Sequence, residues 1–125
     1  MKIRIKGNSL RYRLTRPEVE RLATTGSIEE RINFGETALS YALCTTDGEC
    51  LSASFRDNHI TVYFPATLIA EWMHTDKVGF EERVSLQEGT LTLLVEKDYT
   101  CLDNVAEDQS DNYPNPLLKK QYEHE

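Results

Sequence analysis

The sequence predicts an α+β domain of about eight antiparallel strands and two short helices, built as two ββαββ repeat-like units that lie as one twisted sheet or close into a barrel. Three observations carry this expectation. Apolar and polar residues alternate with period two in eight short stretches, the mark of half-buried strands. Two further stretches space their apolar residues at i, i+3 and i+4, as a helix face does. The whole pattern then restarts about fifty residues on, with even offsets of 50 and 52 that preserve the inward parity of every strand.

The first unit opens at Lys2–Lys6, where Ile3 and Ile5 alternate with Lys2, Arg4 and Lys6. Gly7-Asn8-Ser9 is turn chemistry tolerant of positive φ. Leu10, Tyr12 and Leu14 then repeat the apolar face, while Arg11 and Arg13 join the basic one. Thr15-Arg16-Pro17-Glu18 reads as a helix start, with Thr15 as N-cap, Glu18 closing a capping box and Pro17 in the first turn. Val19, Leu22 and Ala23 make one apolar helix face, and Gly26 ends it. Ile28, Glu30, Ile32 and Phe34 form a third strand, and Leu39, Tyr41 and Leu43 a fourth.

Asp47-Gly48 is a turn signal. The second unit follows with Leu51, Ala53 and Phe55 inward, Asp57-Asn58-His59 as a turn, then Ile60, Val62 and Phe64. Pro65 opens a second helix bearing Ile69, Trp72 and Met73, fifty positions after Val19, Leu22 and Ala23. Val78, Phe80, Val84 and Leu86 make the seventh strand, and Leu91, Leu93 and Val95 the eighth. Glu29-Glu30-Arg31-Ile32 returns as Glu81-Glu82-Arg83-Val84. Identities at the fifty-residue offset are few (Asn8 with Asn58 and Thr25 with Thr75 among them), so the repeat rests on pattern. The domain is expected to span residues 1–98, and residues 99–125 to form an acidic tail containing Pro and Asn.

A chain of 125 residues, 39% hydrophobic and 28% charged, can bury one core without staples. No apolar run approaches the roughly 18 residues of a membrane span, and no signal-peptide apolar segment follows the N-terminal charges. The expectation is a cytoplasmic protein, with Cys44, Cys50 and Cys101 as reduced thiols. Net charge is −7, which disfavours nucleic acid as a partner. Its distribution is uneven. Residues 1–21 carry Lys2, Arg4, Lys6, Arg11, Arg13, Arg16 and Arg21 against Glu18 and Glu20, a local +5 that leaves −12 for the rest. Residues 96–112 carry Glu96, Asp98, Asp103, Glu107, Asp108 and Asp111 against Lys97 alone.

The candidate site is therefore the basic face of the first hairpin: Lys2, Arg4, Lys6, Arg11 and Arg13. Cations at this density repel one another. The simpler reading is a solvated face neutralised by the protein's own acidic tail. The sharper one is an anion site for a phosphorylated small molecule or an acidic protein. At the equivalent outward positions the second unit has Ser52, Ser54, Arg56, Thr61 and Tyr63, so folding does not require the cations. No histidine has a base-and-nucleophile context, no glycine-rich phosphate loop occurs, and no catalytic residue, metal or cofactor is expected. The expected role is a non-enzymatic binding or interaction module.

Gathered from all strands, the outward residues Arg4, Lys6, Arg11, Arg13, Arg31, Arg56 and Arg83 with Glu29, Glu81 and Glu96 resemble the lining of the triphosphate tunnel family. That resemblance implies an eight-stranded polar tunnel that binds, or hydrolyses, a phosphorylated ligand. The family's Glu-x-Glu-x-Lys metal motif is replaced here by Lys2-Ile3-Arg4-Ile5-Lys6, which removes the carboxylates that Mg²⁺ needs. As a whole the chain resembles a family of short uncharacterised bacterial proteins through Lys2–Ser9, Arg11–Thr15, Cys101-Leu102 and Glu107–Pro116. That resemblance implies that the basic hairpin and the acidic tail belong together.

Overall fold

The computed structural model describes residues 1–99, 113 and 114. Its elements are β1 (Lys2–Lys6), β2 (Ser9–Leu14), α1 (Arg16–Thr25), β3 (Ser27–Asn33), β4 (Ala38–Thr46), β5 (Ser52–Arg56), β6 (His59–Pro65), a 3-10 turn (Ala66–Leu68), α2 (Ile69–His74), β7 (Gly79–Ser85) and β8 (Thr90–Lys97). The eight strands and two short helices are those the alternation predicts. Their arrangement is neither a single sheet nor a barrel. They form two four-stranded sheets, ordered β1-β2-β8-β7 and β3-β4-β6-β5, and among the described residues the strands close no tunnel.

The reason lies in the central pairs. Each hairpin is antiparallel, but β2 pairs with β8 in parallel and β4 pairs with β6 in parallel. Each helix carries the chain from one sheet to the other. Each sheet is therefore completed by two strands from the other half of the sequence. The halves are equivalent in detail. Thr92 N–H donates to Asn8 O at 3.1 Å and Ser40 N–H to Asn58 O at 3.0 Å, which explains one of the few identities at offset 50. Likewise Thr45 N–H donates to Gly26 O at 2.8 Å, and Lys97 N–H to Val78 O at 2.9 Å.

One core lies between the sheets. Tyr12, Leu14, Leu93 and Val95 from the first sheet meet Ile28, Leu43, Val62 and Phe64 from the second. Aromatic rings bridge them, with Tyr12 and Tyr41 centroids 6.2 Å apart and Phe64 and Phe80 5.3 Å apart. The helices close one end. Val19 and Leu22 of α1 and Ile69 and Trp72 of α2 are buried there, and the Trp72 indole N–H donates to Val78 O at 3.1 Å. The capping box predicted at α1 forms, because the Thr15 amide donates to Glu18 Oε1 at 2.9 Å. Gly26 takes the left-handed conformation at φ 85° and returns its N–H to Leu22 O.

All four hairpin turns gather at the opposite end, since every hairpin runs away from the helices and back. There the inward parity read from the sequence holds but burial does not. Ile5 is 61% exposed and Phe55 64%, and Ile32, Phe34 and Leu86 are exposed as well. Among the described residues no helix covers this end.

Gly79, the first residue of β7, pairs with Glu96. A Cβ there would lie 2.1 Å from Val95 O and 3.0 Å from Glu96 Cγ. Only glycine admits this approach, and it leaves Glu96 free to lie across the outer face. Gly79→Ala is expected to cost about 1–3 kcal/mol by forcing the backbones apart. Urea unfolding measures it, and parental stability would contradict the close approach.

Candidate functional site

Register decides where each cation goes. Across the first sheet the outer face reads Lys2, Arg13, Glu96 and Gly79 in one row, Arg4, Arg11, Leu94 and Glu81 in the next, and Lys6, Ser9, Thr92 and Arg83 in the third. Lys2, Arg4, Lys6, Arg11 and Arg13 thus share one open surface, with Arg83 on its far strand. Arg31 and Arg56 do not join them. They flank Ser40 and His59 on the outer face of the second sheet, across the core from the first. The convergence of Arg31 and Arg56 with Arg83 and the hairpin cations that a tunnel implies therefore does not occur; Arg83 alone of the three shares their face.

Much of the basic face is neutralised by β8, whose acids the parallel pairing sets beside β2. Glu96 Oε1 lies 2.9 Å from Arg11 Nε and 4.0 Å from Arg13 Nε. The Arg11 contact is close without being aligned as a hydrogen bond, so it acts as a charge pair. Lys2 Nζ lies 3.1 Å from Asp98 Oδ2, a buried carboxylate just past the end of β8. Arg83 Nε donates to Glu81 Oε1 at 3.2 Å. Two of the six acids counted between residues 96 and 112 therefore meet the hairpin. Asp103, Glu107, Asp108 and Asp111 lie outside the described residues, as does Cys101.

Arg4 and Lys6 differ. Among the described residues no carboxylate pairs with either, and with Ser9, Arg11 and Leu94 they line a shallow depression of about 210 Å³. The Ser9 hydroxyl donates to Lys6 O at 2.6 Å, which ties the hairpin ends together beneath it. Three guanidinium and ammonium groups around one hollow suit a compact anion such as a phosphate chain.

Two further polar clusters sit near the helix end, and sequence reasoning missed both. In the first, the Met1 ammonium contacts Glu18 Oε2 and lies 3.2 Å from Glu30 Oε2. The Tyr41 hydroxyl donates to Glu30 at 2.9 Å. Burial, the Glu30 hydrogen bond and its charge push the Tyr41 hydroxyl up to about 12. Burial also raises Tyr12, whose hydroxyl approaches the Ala42 backbone outside hydrogen-bond geometry. In the second, Lys97 donates to Thr75 O at 2.7 Å and lies 4.9 Å from the Tyr113 ring, which Arg16 also faces at 5.3 Å. Burial pulls the Lys97 ammonium down, against the nearby Asp76 charge. Tyr113 thereby returns to the body of the fold, its N–H donating to Asp98 O at 2.8 Å. Both clusters satisfy buried charge, at Glu18 and at Lys97. Among the described residues no group of His, Cys, Asp and Glu is placed to hold a metal ion. Cys44 and Cys50 are free thiols, raised by burial at Cys44 and mainly by the Glu82 charge at Cys50.

The fold and this face define an α+β domain with an open, partly neutralised basic sheet surface. The chain belongs to the family of unknown function DUF7009, whose model matches residues 1–117. No curated protein and no solved structure matches the chain. Among the described residues, no helix is long and apolar enough to cross a membrane.

Glu18 carries a pH dependence. Burial pushes its carboxyl up, but the Met1 ammonium and the Thr15 amide and hydroxyl outweigh that and hold it below the ordinary 4.5. The folded state thus favours the charged form. The stability it contributes is complete above about pH 5 and is lost as pH falls through the folded value. Thermal melts from pH 7 to pH 3 should show that loss, and Glu18→Gln should lower the melting temperature at pH 7 while flattening the acid limb.

Proposed function

We propose that this protein is a non-enzymatic module that binds anions on the outer face of its first sheet. The observation that supports the reading is the contrast within the hairpin. Lys2, Arg11 and Arg13 are held by Asp98 and Glu96. Arg4 and Lys6 border the depression without a carboxylate partner among the described residues. The family sets no activity against this reading. Because the face is open, a bound phosphate chain would keep much of its hydration, and affinity would depend strongly on salt. The favoured ligand is a phosphorylated small molecule. An acidic protein segment is the second reading, favoured by β1 being an edge strand among the described residues, whose alternating cations deter neutral strands.

Calorimetry and thermal melts with tripolyphosphate at low salt test the proposal. A ligand at a hundredfold excess over Kd stabilises by about 2.7 kcal/mol, a rise of several degrees for a domain of this size. Arg4→Ala with Lys6→Ala should remove that rise and leave the unliganded melt unchanged within about 0.5 kcal/mol. Glu96→Ala should act oppositely, lowering intrinsic stability by about 1 kcal/mol while strengthening anion binding by freeing Arg11 and Arg13. No response to tripolyphosphate in the parent, even at low salt, would remove the proposal.

A further inference from the structure

The helix-free end holds an apolar cleft that the basic face does not explain. It measures about 360 Å³ and is lined by Ile5, Leu10, Phe55, Ile60 and Leu91, with the Gly7-Asn8-Ser9 turn at its rim. That volume falls within the range of small-molecule sites, and such a lining is typical of them. The cleft is built twice over. Ile5 and Leu10 of the first hairpin stand where Phe55 and Ile60 stand in the second, fifty residues on. Each half thus contributes one buried-side residue and one that remains more than half exposed, at 61% and 64%. A sandwich built for stability alone would close here, as it does under the helices. Five of the six large apolar side chains exposed among the described residues gather at this end.

A cation stands just outside the cleft on each of its two hairpins, although neither lines it, and the acids Glu36, Asp57 and Glu88 sit in the other three turns at this end. Lys6 follows Ile5 and Arg56 follows Phe55 at equivalent ends of β1 and β5, and neither has an ion-pair partner among the described residues. Ser9 lines both the apolar cleft and the basic depression, so the two are contiguous across the first turn. Glu30 and Glu82 belong to the inner faces of the outlying strands β3 and β7, but neither lines the cleft.

We propose that the cleft binds the alkyl chain of a single-chain anionic amphiphile whose head group rests on Lys6 at the Gly7–Ser9 rim. The cleft's concave shape fits one chain entering between the sheets. Lys6, in the depression that shares Ser9 with the cleft, selects an anionic head over a neutral one. For the head group this rests on the anion-binding reading above, because Lys6 and Ser9 are shared; for the chain it rests on the cleft alone.

Calorimetry of the full chain with n-alkyl phosphates of four to ten carbons, below their micelle concentrations, tests it. Each added methylene should tighten binding about fourfold until the cleft is filled, the equivalent of about 0.8 kcal/mol per buried CH₂. 1-Octanol should bind far more weakly than octyl phosphate. Phe55→Ser, at an exposed position that the fold does not need apolar, should flatten the chain-length series and leave the tripolyphosphate response intact. Methyl shifts of Leu10, Ile60 and Leu91 on adding octyl phosphate to the parent report the same site without a variant. A flat series with tripolyphosphate still bound would overturn the amphiphile and spare the anionic face. A steep series with no tripolyphosphate response would spare the cleft and sink the face. Equal binding of octanol, association into dimers, or binding only to phosphatidylglycerol vesicles would each overturn it in favour of a neutral ligand, a second copy or a lipid surface.

Discussion

The parallel pairing of β2 with β8 and of β4 with β6 is the constraint on which the rest of this structure depends. A ββαββ unit alone would hold two hairpins joined by a helix, each with one apolar face and nothing to cover it. Splicing the halves gives each hairpin a partner from the distant half of the sequence, and each sheet an opposing sheet. Parallel pairs need crossovers of about a dozen residues or more; here residues 47–58, with β5, link β4 to β6, and residues 15–89 separate β2 from β8. The helices must then meet at one end, and the four hairpin turns at the other.

That polarity separates tasks. At the helix end Trp72, Phe64 and Phe80 pack as a cluster, with centroids 5.2–6.2 Å apart, and the buried Glu18, Lys97 and Asp98 each have a partner. At the turn end the apolar rows of both sheets run out into solvent. The same pairing puts Glu96 beside Arg13 and within reach of Arg11, while Gly79 opposite keeps the way clear. Neutralisation therefore runs down the β8 side of the basic face and stops short of Arg4 and Lys6. The anion-binding proposal and the amphiphile proposal both grow from that unevenness.

Much of this was legible in the residues. Alternation placed all eight strands, Thr15 and Glu18 announced the first helix, and Gly26 its end. The fifty-residue recurrence anticipated two equivalent halves, and its even offset is what lets Asn8 and Asn58 make equivalent backbone contacts. Two things were not legible, for one reason. Periodicity reports which face of a strand is apolar, but says nothing about which strand lies beside it or how far the opposing layer extends. So a barrel and a sheet stayed open while the protein forms two mixed sheets. The inward parity of Ile5 and Phe55 was right, yet their exposure depended on where the opposing sheet stopped. Arg31 and Arg56 shared outward parity with the hairpin cations and still lie on the opposite side of the molecule. The Met1–Glu18–Glu30–Tyr41 cluster left only one trace, in a Glu18 already accounted for by its cap.

The most direct measurement is an amide-resolved NMR titration of the full chain with tripolyphosphate at low salt. The account predicts perturbations confined to Arg4, Lys6, Ser9, Arg11 and Leu94 on the first sheet, with Arg31, Ser40, Arg56 and His59 of the second unmoved. Shifts centred on the second sheet, or spread evenly over both faces, would contradict it.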